Sequence, residues 1–203
     1  MLPFENPALK AFVAEIKTEL LFAQILVRRS GKGFELRHAS DATKPAEILR
    51  PVLETELRAI SQFTETGSFR PLKSAPDLRD GWRYEALTEN ALEFALNTFY
   101  PGAIADWFAA RAPRPPVTSY REFAQRQSGM YRVTAKLSDE QVAFVIGACC
   151  SRKLCLKQRL WSVDGLAPDS SGEKSLIPCL EPCAILLEFA RKTTRLQPPT
   201  PNL

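Results

Sequence analysis

Segments with helical spacing of apolar residues alternate along this chain with shorter strand-like ones. Asn6 followed by Pro7 reads as a helix cap and first helical residue, and Leu9, Phe12, Val13, Ile16 and Leu20 recur on one helical face. Residues 22–28 are mostly apolar, Ser30-Gly31-Lys32-Gly33 signals a turn, and residues 34–38 return as a second strand, which predicts a β-hairpin. A helix is expected to start near Pro51 and carry Val52, Leu53, Leu57, Ile60 and Phe63. Residues 82–86 alternate as a third strand. Thr88 then caps a helix bearing Leu92, Ala95, Leu96 and Phe99, Tyr100-Pro101-Gly102 ends it, and residues 103–110 form a short helix.

Pro113, Pro115 and Pro116 form a stiff spacer, so the chain is expected to divide into domains 1–112 and 113–203. Beyond it, Thr118 is placed to cap a short helix through Tyr120, Phe123 and Ala124, and residues 131–135 read as extended. Ser138 and Gln141 match a capping box ahead of a helix with Val142, Val145, Ile146 and Cys149 on one face. Pro182 suits the first turn of a last helix over 184–191, with Cys183 in that turn. The expected fold class is α+β: a mixed α/β first domain and a mostly helical second one that bears the cysteines.

Composition adds little to this. Apolar content of 45%, charge of 25% and a net charge of +4 are ordinary for a globular protein and too mild to imply nucleic acid. The first residues lack a basic and apolar leader pattern, and the longest apolar run, Leu20 to Val27, is too short for a membrane span. A reducing, cytoplasmic setting is therefore expected, in which clustered cysteines point to metal or catalysis rather than disulfides.

All five cysteines of the 203 residues fall between Cys149 and Cys183. They give two short pairs, Cys150 with Cys155 and Cys179 with Cys183. Cys149 shares the face of Val142, Val145 and Ile146 and reads as a buried core thiol; a shift of the fraying helix end would reverse that choice. Four thiolates from two segments suit either an iron–sulfur cluster or a tetrahedral zinc ion, and the C-x4-C and C-x3-C spacings fit both. Cys183 near a helix N-terminus would sit by free N–H groups. Arg152, Lys153, Lys157 and Arg159 would add positive charge, and Leu154, Leu156, Leu160, Trp161 and Leu180 would exclude water. Paired carboxylates, a serine triad, a phosphate loop and a nucleotide fingerprint are missing, so the residues give no ground for naming an enzyme.

Two other features carry weaker signals. His38, the only histidine, is expected as a strand-end side chain with a local hydrogen bond. The aperiodic segment 67–82 with Arg70, Lys73 and Arg79, and Arg83 beyond it, could cradle an anion or simply carry solvated charge.

The run C-L-K-Q-R-L-W from Cys155, closed by P-C-L-E-P-C, resembles the 4Fe-4S domain fused behind sirohydrochlorin cobaltochelatase in some bacteria. Residues 34–38, 69–82 and 100–107 resemble the stabilising domain that accompanies it. The resemblance implies a 4Fe-4S cluster as cofactor with Cys150, Cys155, Cys179 and Cys183 as ligands. With all four irons held by protein, it implies one-electron transfer or redox sensing rather than Lewis-acid chemistry, as an accessory to cobalamin or sirohaem metal insertion. The chelatase part is not matched, so a chelatase or redox partner is expected as a separate chain, with an anionic tetrapyrrole as a further candidate for the 70–83 cations. No nucleic-acid or membrane partner is expected.

Overall fold

The computed structural model describes residues 6–64, 66–68, 77–150, 155–169 and 177–196. They fall into two compact units, 6–114 with residue 177, and 115–169 with 178–196.

In the first unit α1 (Pro7–Glu15) opens on Asn6, whose Oδ1 accepts from the N–H groups of Ala8 and Leu9. The helix stops at Glu15, short of the expected Leu20, which belongs instead to β1 (Glu19–Phe22). A two-residue turn then leads into β2 (Ile25–Ser30), with Phe22 opposite Ile25 and Ala23 at φ +52°. The expected strand over 22–28 is thus the end of one strand and the body of the next. β3 (Gly33–His38) completes the predicted hairpin with β2. Gly33 has a reason to be glycine, because a Cβ there would run into the Ala86 carbonyl of the next strand. The 50s differ from expectation. Pro51 lies in a short edge strand, β4 (Arg50–Pro51), and α2 (Leu57–Gln62) begins six residues later. β5 (Trp82–Ala86), α3 (Glu89–Phe99) and α4 (Ala103–Ala109) stand where the pattern puts them, with Thr88 Oγ1 accepting from Ala91 N–H.

The sheet order is β1-β2-β3-β5-β4, antiparallel throughout except for the parallel β4–β5 pair. Phe12 of α1 packs edge-on against Phe22 and Trp107, and Trp82 meets Phe99, which fastens α1, α3 and α4 to the strands. Asp41, fully buried, accepts from Gly81 N–H at 2.6 Å and forms an ion pair with Lys44 Nζ at 2.7 Å, and so ties the exit of β3 to the entry of β5. His38 Nδ1 makes the expected local contact, accepting from Ser40 N–H.

In the second unit the cap of α5 (Tyr120–Gln125) is Ser119, not Thr118: Ser119 and Glu122 form a capping box, while Thr118 N–H donates to the Leu180 carbonyl. Residues 129–136, expected in part as extended, form a 3-10 helix (Gly129–Lys136). Tyr120 Oη donates to the Thr134 carbonyl at 3.0 Å and holds that helix to α5. α6 (Asp139–Cys149) starts on the predicted Ser138–Gln141 capping box. Two three-residue strands, β6 (Lys157–Arg159) and β7 (Ile177–Cys179, of which residues 178 and 179 belong to this unit), pair with each other, and α7 (Ala184–Leu196) closes the unit. Tyr120, Val142, Val145, Ile146, Trp161, Val163, Leu186 and Ala190 make its core. Among the described residues no helix is long and apolar enough to cross a membrane.

Candidate iron–sulfur centre

Four of the cysteines sit at or beside the end of an element, and Cys155 stands two residues before one. α6 delivers Cys149 as its last residue and Cys150 as its C-cap, whose N–H donates to Ile146 O at 2.7 Å. Cys155 precedes β6, and Cys179 ends β7. Cys183 stands one residue before α7, and its carbonyl accepts from Leu187 N–H, so it occupies the cap and not the first turn. It is still beside the N–H groups that a helix start leaves without intrahelical partners.

All five thiols are half-buried and free of disulfides, and Cys149, Cys150, Cys179 and Cys183 lean on the core of the unit. Cys149 is therefore not the fully buried core thiol its helical face predicted. At the last turn of α6 that face is only partly covered. Burial and the neighbouring sulfurs act together on the thiols. Burial pushes Cys149 up to about 11, with Cys183 and then Cys155 reinforcing it. It raises Cys150 further still, with contributions from Cys155, Cys183, Cys179 and Cys149 in that order. Cys179 rises to about 11 through burial, opposed by a hydrogen bond from Trp161 and by the charge of Lys157. Such thiols are protonated when the site holds nothing. A positive metal centre is what would draw their protons off.

Among the described residues no three His, Cys, Asp or Glu side chains are grouped so as to hold a metal ion. The donor set, several mutually interacting thiols beside apolar residues, is of the kind that would hold an iron–sulfur cluster.

The shell is only partly the expected one. Trp161 and Leu180 are buried, Leu156 and Leu160 half-buried. Lys157 acts on Cys179 as predicted. Arg159 does not offer a free charge: its guanidinium donates to the carbonyls of Trp161 and Ala167 and pairs with Asp169. Arg152, Lys153 and Leu154 lie outside the described residues. Sequence reasoning took Trp161 as a water excluder and missed its polar role. Its indole Nε1–H donates to Cys179 Sγ at 3.3 Å. That contact depends on the β6–β7 pairing across a long connection, which no local pattern reveals.

The cation segment of the first unit is less open than expected. Arg79 donates to the carbonyls of Ala59 and Thr64 at the end of α2, and Arg83 pairs with Glu85. Arg70 and Lys73 lie outside the described residues.

Residues 6–111 match the family described as the DR2241 stabilising domain, and residues 112–192 match the 4Fe-4S iron-sulfur cluster binding domain. Among solved structures the chain is similar to DR2241 from Deinococcus radiodurans, described as a multi-domain protein with structural similarity to chelatases and two additional novel domains. The TM-score is 0.78 at 27% identity, over 94% of this chain and 41% of that one. This chain thus spans well under half the length of that protein. No curated protein matches it. The chain belongs to the family of the DR2241 stabilising domain, and behind that domain it carries a 4Fe-4S cluster-binding domain.

Proposed function

We propose that this chain transfers single electrons, or senses redox state, through a 4Fe-4S cluster held by Cys150, Cys155, Cys179 and Cys183, in the service of tetrapyrrole metal insertion. The observation that carries the reading is the gathering of half-buried thiols from α6, β7 and the start of α7 on one apolar core, with Cys155 ahead of β6 interacting with them. When bound, the cluster would supply a reversible one-electron couple. The protein's part is to hold four thiolates, keep water from them with Trp161 and Leu180, and aim the start of α7 at their negative charge.

The link to metal insertion is supported by the chelatase-like character of the similar multi-domain protein. The partner proposed is a chelatase or a redox protein, in a reducing cytoplasm. An anionic tetrapyrrole is the proposed small ligand. With Arg79 and Arg83 engaged within the fold, Arg70 and Lys73 are the cations to test for it.

Anaerobic purification followed by iron, sulfide and zinc analysis tests the cofactor. The expected result is about four irons and four sulfides per chain and a visible band bleached by dithionite. A colourless protein with stoichiometric zinc would overturn the reading.

A further inference from the structure

Trp161 is 1% exposed, and a buried indole N–H needs an acceptor. Trp82, equally buried, has a conventional one, the Arg79 carbonyl at 2.5 Å. Trp161 instead points its Nε1–H at Cys179 Sγ, 3.3 Å away. A neutral thiol is a weak acceptor, so this is a poor arrangement for a protonated cysteine. A thiolate makes the same contact a charge-assisted bond.

The ring is fixed in place for it. Arg159 Nη1 donates to the Trp161 carbonyl at 2.6 Å, and the guanidinium lies 5.3 Å from the ring centroid. Leu160 N–H donates to the Cys179 carbonyl at 3.0 Å and locks the two backbones together. The sulfur's other contact runs the opposite way: Cys179 Sγ donates to the Glu181 carbonyl at 3.2 Å, a bond only the protonated form can make. On loss of that proton the indole is the hydrogen-bond donor to the sulfur that remains of the two.

We propose that Trp161 is a positioning residue whose indole N–H, through Cys179, raises the reduction potential of the cluster. The proposal rests on the reading that Cys179 is a cluster ligand. Uptake of one electron, supplied by dithionite or a low-potential mediator, adds one negative charge to the cluster and its sulfurs. A donor aimed at a ligand sulfur stabilises the reduced form more than the oxidised one. Replacing it with a ring that has no N–H leaves the oxidised form comparatively favoured.

The test is a mediated redox titration, followed by EPR, of anaerobically purified wild type and Trp161→Phe. The variant is expected to keep its iron and sulfide and to lose about tenfold in the reduction equilibrium constant, a fall of about 59 mV for a one-electron couple. An intact cluster with an unchanged potential would overturn the proposal and leave the cluster assignment standing. A wild type without a cluster would overturn both. Should the variant fail to fold, wild type labelled with 15N in its indoles decides the matter. A 15N coupling to the reduced cluster supports the bond, and its absence refutes it. A merely structural role for the ring would produce neither the coupling nor the shift.

Discussion

Leu186 is fully buried in α7 among Val142, Val145, Ile146 and Trp161, the same core on which four of the thiols lean. Leu186→Ala removes three carbons from it. At about 0.8 kcal/mol per buried carbon the lost transfer energy is roughly 2.4 kcal/mol. Incomplete collapse of the cavity adds about 1–2 kcal/mol, for a total of about 3.4–4.4 kcal/mol. Phe144, on the same helical pair but 70% exposed, is the internal control, and Phe144→Ala should cost under about 0.5 kcal/mol. Urea unfolding of the reduced apoprotein by circular dichroism, with the slope held in common, reads both. The Leu186 variant is also expected to react faster with a thiol alkylator, because the burial that holds the cysteines protonated is relieved. A cost below about 1 kcal/mol at Leu186, or an equal cost at Phe144, would refute the claim that this core organises the thiols.

Two further outcomes follow from the geometry. Cys149 and Cys179 are raised from 9.0 to about 11 in the fold, so apoprotein stability should be whole below pH 9 and fall as pH climbs through about 11. A flat stability curve across that window by thermal melting would contradict the burial. Asp41→Ala removes the buried carboxylate that accepts from the Gly81 N–H while Lys44, partly exposed, turns to water, and loss of that charged acceptor should cost about 1.5–3 kcal/mol in urea unfolding.

The elements legible in the sequence were those whose signals are local. Thr88 and the Ser138–Gln141 box coincide with the start of an apolar period, and α3 and α6 begin there. The Ser119–Glu122 box was equally present but was overshadowed by the adjacent Thr118. The β1–β2 turn was hidden because Ala23-Gln24 carries no glycine or asparagine, and Ala23 takes a left-handed backbone under the pull of strand pairing. Residues 129–136 curl because the Tyr120 hydroxyl binds the Thr134 carbonyl, a contact fourteen residues apart that no window of spacing contains. The same division holds at the centre. Clustering announced the cysteines, whereas the indole–sulfur contact depends on β6 and β7 meeting across a connection the pattern leaves blank.

The most direct measurement is iron and sulfide content across five single variants, Cys149→Ser, Cys150→Ser, Cys155→Ser, Cys179→Ser and Cys183→Ser, each purified anaerobically beside the wild type. The account predicts cluster loss in all but Cys149→Ser, which keeps about four irons per chain. Retention in the Cys150 variant with loss in the Cys149 variant would exchange the two thiols at the end of α6, and retention in all five would contradict the centre itself.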